Sequence, residues 1–198
     1  MTCLSIVIVS FNARSDLVAC LQALRDAPPA SDHEIIVVDN ASSDGSAEAA
    51  RGFPRVSAIA LDRNVGFAAG NNLGIRASRG DMLLLLNSDT VVPSGALDRL
   101  VGRLEAMPDA RVAGPRLVDA HGRAELSCGR MISPLNELRQ KTLLTMSDRG
   151  WSAARRRIEQ LTARERFVDW VSGACLLVRR ADADAAGLLD ERFFMYTE

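Results

Sequence analysis

Nothing in this 198-residue chain approaches the run of roughly 20 apolar residues that spans a bilayer. Its opening, Met1-Thr2-Cys3-Leu4-Ser5, lacks the basic segment that begins a signal peptide and leads directly into an apolar run. There is no charge excess either: the net charge is −1 and the pI near 6.2, so global charge offers nothing to a nucleic acid, and none is expected as a partner. The four cysteines (Cys3, Cys20, Cys128, Cys175) contain no C-x-x-C pair, which argues for free thiols in a reducing compartment and against zinc or a disulfide framework. Internal repeats and low-complexity segments are absent too. What remains, 47% hydrophobic and 25% charged residues, suits one globular α/β domain with a sizeable core.

The chain is organised around residues 64–92, NVGFAAGNNLGIRASRGDMLLLLNSDTVV. A Gly/Asn-rich turn leads into a small-residue helix closed by Arg79-Gly80-Asp81. An apolar run over residues 82–86 follows, too short for a helix and bounded by turn residues, the signature of a strand buried on both faces. Runs at 4–9 and 34–38 have the same character, and 56–61 reads as a third strand. Between them, Leu17, Val18, Leu21 and Leu24 recur at helical spacing, with Ser15 or Asp16 as the expected cap and Ala27-Pro28-Pro29-Ala30 as the stop. The Ser42-Ser43-Asp44-Gly45-Ser46 cluster opens a second helix through Arg51. The order β-α-β-α-β-α-β predicts a mostly parallel, doubly wound sheet with right-handed crossovers and helices on both faces.

Beyond Asp89 a helix is expected over 94–107, capped by Ser94, then an edge segment at 111–117, where Pro115 cannot donate to a ladder. A hairpin is expected near His121-Gly122, a basic helix within 136–166, a further buried strand at 174–178 and a short helix after Arg179. In the basic segment Arg139, Lys141, Arg149, Arg155, Arg156, Arg157, Arg164 and Arg166 outnumber Asp148, Glu159 and Glu165, with Trp151 among them. It reads either as a surface meeting an anionic membrane or lipid diphosphate, or as a solvated helical face, which the interspersed Glu159 and Glu165 favour.

In open α/β sheets ligands bind outside the carboxyl ends of the parallel strands. Three expected strands end there in polar groups: Asn12, Asp39 with Asn40, and Asp89. One strand-end carboxylate can accept hydrogen bonds from a uracil-type base or a ribose, and a second can hold Mg²⁺ or Mn²⁺ against a diphosphate. The chain has neither G-x-G-x-x-G in its first helix nor G-x-x-x-x-G-K-[ST], so dinucleotide-fold and P-loop chemistries do not fit.

Taken together, Ser5-Ile6-Val7-Ile8-Val9-Ser10-Phe11-Asn12, the stretch from Ile36-Val37-Val38-Asp39-Asn40 to Ser46, Asn64-Val65-Gly66-Phe67-Ala68-Ala69-Gly70-Asn71-Asn72, Leu86-Asn87-Ser88-Asp89 and Phe193-Phe194-Met195-Tyr196-Thr197-Glu198 resemble family 2 glycosyltransferases, most of all the bacterial rhamnosyltransferase-type branch. The resemblance covers nearly the whole chain. It implies a GT-A fold over residues 1–198, with a nucleotide-binding half at 1–92 and an acceptor-side half at 93–198. It implies inverting transfer of rhamnose or another hexose from a nucleotide-diphosphate sugar, UDP- or dTDP-type, to a glycan or polyprenyl-diphosphate-linked acceptor, as in cell-wall or polysaccharide biosynthesis. Carried over by position, Asp39 holds the base or ribose, Ser10, Phe11 and Asn12 line its pocket, and Arg63, Asn64, Asn71 and Ser88 flank the nucleotide. Asp89, last residue of a D-x-D-like motif whose first position is Asn87, coordinates Mg²⁺ or Mn²⁺.

The family's base lies in a Glu-Asp pair near the end of the core domain. Here Tyr196-Thr197-Glu198 reaches only its first member, so the acceptor half is expected to be truncated, Glu198 is a tentative substitute base, and the 198 residues are expected to bind nucleotide with negligible transfer. The competing expectations are a nucleotide-sugar-binding copy without turnover and, further off, a nucleotidylyltransferase, for which Ser10-Phe11-Asn12-Ala13-Arg14-Ser15 is a poor loop. The expected location is cytoplasmic, with peripheral contact to the inner face of the membrane.

Overall fold

A computed structural model describes residues 3–131 and 133–194. They divide into two compact units, one built from residues 3–113 with 173–194 and the other Gly114–Ser172.

The larger unit is built on a sheet of six strands: β1 (Leu4–Ser10), β2 (His33–Asp39), β3 (Val56–Ala60), β4 (Met82–Asn87), β5 (Val112–Ala113) and β8 (Cys175–Arg179). They lie in the order β3-β2-β1-β4-β8-β5. β1, β2, β3 and β4 pair in parallel; β8 enters antiparallel between β4 and the two-residue edge strand β5. Leu4, Ile6, Val7 and Ile8 are all fully buried, so both faces of β1 are covered. That explains why such strands read as continuous apolar runs rather than alternating ones. One face packs under α3 (Phe67–Ala77) and α7 (Arg180–Ala186): Val7, Ile75, Leu83, Leu85, Val178 and Ala183 form one buried cluster. On the other face, α1 (Arg14–Asp26) buries Leu17, Cys20, Leu21 and Leu24. Two short helices, α2 (Ser46–Arg51) and α4 (Ala96–Glu105), complete the unit.

Two expected caps are not used. Ser15 and Asp16 lie inside α1, whose N-cap position is Ala13. The Arg14 amide is instead satisfied by Asp44 Oδ2 at 2.9 Å, a carboxylate from the next βα connection. At α4, Gly95 (φ 69°) occupies the position expected of Ser94.

In the smaller unit β6 (Cys128–Gly129) pairs antiparallel with β7 (Trp170–Val171), and Val118 bridges Ala124 across the expected turn. The single basic helix expected here is two, α5 (Pro134–Asp148) and α6 (Ser152–Thr162). Gly150 (φ 87°) is the cause: its amide returns to the Ser147 carbonyl at 2.9 Å and the Trp151 amide to Met146 at 3.0 Å, a paired closure that a left-handed glycine makes possible.

Candidate functional site

With β2 and β3 on one side of β1 and β4 on the other, the chain reverses its direction of travel between β1 and β4. Such a switch point leaves a crevice at the carboxyl ends of the strands. Ser10 and Asp39 face each other in register there, and Val9 pairs with Asn87 across the switch. Partners in register project to the same face, so the Ser10 and Asp39 side chains lie side by side.

Both are almost fully buried, at 1% and 2% exposure. Asp39 Oδ2 accepts the Ser42 amide at 3.0 Å, but Asp39 Oδ1 and Ser10 Oγ have no hydrogen-bond partner among the described residues. A buried polar atom without a partner costs about 1–3 kcal/mol. Two of them adjacent on one rim leave polar capacity there that the protein itself does not use. The other two such atoms lie elsewhere, at Ser31 and at Asp182, whose carboxylate faces Arg179 at 3.5 Å.

The groups around this pair divide into exposed ones and clasps. Phe11 is half-exposed beside Ser10, and Arg63 is exposed after β3. Asn12 (φ 50°) is a clasp: its amide donates to Ser42 Oγ at 2.9 Å and its carboxamide oxygen accepts the Ser43 amide at 2.9 Å, joining the loops after β1 and β2. Asp44 reinforces that join through the Arg14 amide. The Ser46 hydroxyl, with the amides of Arg14 and Ser46, holds its carboxyl below the ordinary range. Asn64 turns its side chain onto the Gly66 amide at 2.9 Å, a local turn. Asn71, expected beside Arg63 and Asn64, sits inside α3 instead, 1% exposed, its Nδ2 on the Phe67 carbonyl at 3.0 Å.

Sequence reasoning missed Asn40 and Asn72 as organisers. Asn40 accepts the Val65 amide at 2.8 Å and donates to the Gly66 carbonyl at 3.2 Å, suspending the 64–66 turn from the end of β2. Asn72 ties α3 to the segment after α7. A buried asparagine at a strand end or beside small residues was the available signal, but its partners lie far along the chain.

Across the switch, Asn87 to Thr90 form a turn, Thr90 amide to Asn87 carbonyl at 3.1 Å, anchored on Ala174 through the Asn87 amide at 2.9 Å. This leaves Ser88 half-buried and Asp89 exposed. Beneath it, burial pushes the Cys20 thiol up to about 12, with Asp89 and Cys175 adding. Among the described residues no group of three or more His, Cys, Asp or Glu side chains could hold a metal. The donor set therefore does not make a protein cage for a cation. It fits only an ion that brings phosphate oxygens with it, since Mg²⁺ is commonly held by one or two carboxylates plus substrate phosphates. The tentative base Glu198 lies outside the described residues.

The family model described as glycosyl transferase family 2 matches residues 5–182. An N-acetylglucosaminyl-diphospho-decaprenol L-rhamnosyltransferase of Mycobacterium tuberculosis is 32% identical over 178 residues, 83% of this chain and 57% of that protein. The succinoglycan biosynthesis protein ExoO of Rhizobium meliloti is 35% identical over 102 residues, 50% of this chain and 29% of that protein. Among solved structures, a mannosyltransferase from Pyrobaculum calidifontis in complex with GDP-Man and Mn²⁺ aligns over 95% of this chain and 47% of its own, with TM-score 0.63 and 18% identity. TarS of S. aureus in complex with UDP-GlcNAc aligns over 62% of this chain and 36% of its own, with TM-score 0.53 and 20% identity. These structural likenesses show the fold, the GT-A arrangement. The chain spans 57% of the length of the mycobacterial relative.

Proposed function

The chain belongs to glycosyl transferase family 2, and from that premise we propose that it carries the donor site of an inverting glycosyltransferase using a nucleotide-diphosphate sugar. The donor is UDP- or dTDP-type, the sugar rhamnose or another hexose, and the acceptor a glycan or polyprenyl-diphosphate-linked saccharide, a class supported by the name of the mycobacterial relative. The observation that carries the reading is the buried, unpartnered pair Ser10 Oγ and Asp39 Oδ1 at the switch-point rim.

In this arrangement Asp39 and Ser10 take the polar edge of the base or the ribose hydroxyls, and the exposed Phe11 ring offers a stacking face. Arg63 and the Asn64 turn flank the nucleotide. Inversion is a single displacement: the acceptor oxygen bonds to the anomeric carbon as the diphosphate oxygen leaves, and the hydroxyl proton passes to a base. Asp89, with Asn87 and Ser88 beside it, would hold Mg²⁺ or Mn²⁺. Such an ion, when bound, neutralises charge on the leaving diphosphate.

Titrating UDP-, dTDP- and GDP-sugars with and without Mn²⁺ tests the reading; binding of none of them would overturn it. The metal assignment has its own test. Asp89→Asn should leave the melting temperature unchanged and weaken Mn²⁺-dependent nucleotide binding about tenfold or more, about 1.4 kcal/mol. Equal affinity in wild type and variant, with and without metal, would remove Asp89 from that role.

No helix among the described residues is long and apolar enough to cross a membrane. In this reading a lipid-linked acceptor is met at the bilayer surface, and the unit Gly114–Ser172 is the part suited to it. It holds eleven arginines and lysines against seven acidic residues, and Trp151, 57% exposed, stands at the turn between α5 and α6. Arg139, Arg149, Arg156 and Arg157 make no ion pair among the described residues. An exposed indole among unpaired arginines suits an anionic interface. Binding of the full chain to anionic vesicles should then fall steeply between about 0.01 and 0.15 M salt, as the screening length shrinks from about 30 to 8 Å. Trp151→Ser should weaken it further. Equal binding to neutral and anionic vesicles, or to neither, would return this surface to a solvated helical face.

A further inference from the structure

Asn72 is 1% exposed, yet it is neither on the rim nor part of the apolar core around it. Its carboxamide is fully engaged with one stretch of chain. Nδ2 donates to the Leu189 carbonyl at 2.8 Å and to Glu191 Oε1 at 2.9 Å, while Oδ1 accepts the Leu189 amide at 3.1 Å. Arg76, one turn further along α3, donates to the same Glu191 oxygen at 3.0 Å. Leu188 and Leu189 pack on the buried cluster of Val7, Ile75 and Leu85, which attaches the root of the segment without setting its register.

The segment then runs back along α3 to its first turn. The Phe67 amide donates to the Phe194 carbonyl at 2.8 Å. At Gly66 (φ 89°) a Cβ would stand 2.6 Å from that carbonyl oxygen, so the backbones meet too closely for any side chain. Gly66 is the residue that Asn40 suspends from the end of β2, next to Asp39. A continuous set of hydrogen bonds thus joins the proposed nucleoside site to Phe194 through Asn40, Gly66 and Phe67, and Asn72 sets its far end.

We propose that Asn72 is a positioning residue: it docks residues 188–194 onto α3 in one register and so fixes Phe194 at the edge of the donor site. The inference rests on the function proposed above and adds a residue to it. An apolar side chain would fill the same place, but it would not select one register. A buried carboxamide with all its partners satisfied does, because any slip leaves it unpaired in a dry environment.

The test is amide exchange and nucleotide binding on the full chain with Asn72→Asp and the double variant Asn72→Asp/Glu191→Gln. The carboxylate introduced at position 72 repels Glu191 and the Leu189 carbonyl. Exchange at Phe67 and Leu189 should quicken about tenfold or more while β1 and β4 stay protected, as for loss of one local hydrogen-bonded unit. In the double variant the carboxamide introduced at position 191 can donate to that carboxylate. Most of the protection should then return, which a role confined to filling space would not allow. UDP affinity with Mn²⁺ should stay within about twofold of wild type. Wild-type exchange at Phe67 in Asn72→Asp, a double variant as loose as the single one, or UDP affinity falling about tenfold or more would each overturn the proposal. If the wild type binds no nucleotide at all, the functional reading fails by itself, and the exchange results alone decide the placement of Phe194.

Discussion

Asp39→Asn is expected to weaken binding of UDP and of free uridine by the same factor, about ten- to a hundredfold, the range for losing a hydrogen bond to a charged group. The equality of the two losses is the informative part. Asp39 is proposed to meet the base or ribose, so its contact is present whether or not a diphosphate is attached. The carboxamide preserves shape and can still accept the Ser42 amide, now received by Asp39 Oδ2 at 3.0 Å, so the loop after β2 should keep its conformation. The free protein should be no less stable, because the variant replaces a buried carboxylate that carries an unpartnered oxygen. Thermal shift with UDP would show this directly: a ligand-induced rise in wild type and little in the variant, from similar starting temperatures. A variant that binds uridine normally and loses only the diphosphate-dependent part of UDP affinity would place Asp39 elsewhere in the site.

Two glycine replacements should change stability in opposite directions. Alanine in place of glycine within a helix gains up to about 1 kcal/mol from propensity alone. At Gly102 in α4 nothing lies within 4 Å of the new methyl, so Gly102→Ala should be stabilising by about that amount. At Gly74 in α3 the methyl would stand 2.3 Å from Val7 Cγ1 and 3.3 Å from Val38 Cγ2. Val7 is fully buried in β1 and its branched side chain has few alternative rotamers. Overpacking of this kind typically costs about 1–3 kcal/mol, which outweighs the propensity gain. Gly74→Ala should therefore lower the melting temperature by several degrees, at about 2–4 °C per kcal/mol for a chain of this size. It should also loosen α3, the helix that carries Asn72 and is preceded by Gly66 at its N-cap. Two variants that shift the melting temperature in the same direction would refute the close α3–β1 packing.

Much of the sheet was legible in the sequence because burial on both faces leaves a mark that needs no partner to be recognised. Leu4 to Val9, Ile35 to Val38 and Met82 to Leu86 are apolar at every position or nearly so, and each run stops at a polar residue where the strand emerges at the rim. The candidate rim groups Asn12, Asp39, Asn40 and Asp89 followed from those stops, whereas Ser10 came only with the family resemblance and Asn12 turned out to be a clasp between loops. The run over Ala174 to Val178 was legible as a strand but not as antiparallel, since an apolar run is the same in either direction and orientation is set by where the chain re-enters the sheet.

The alternation of strands and helices as far as Asp89, the buried strands and their polar ends were already legible in the sequence, because these rest on composition and on spacings of a few residues. Which polar groups are left open at the rim and which hold the chain together is set only in three dimensions. Asn12 clasps Ser42 and Ser43, Asp44 caps a helix 30 residues earlier, and Asn72 pairs with a backbone 117 residues later. Asn71 and Asn72, adjacent and chemically identical, are about 100° apart around α3, so one bonds back to its own helix and the other to the returning chain. Side-chain chemistry states what a group can bind; only the fold, by bringing distant backbone amides and carbonyls within about 3 Å or leaving them out of reach, decides whether that capacity is already spent.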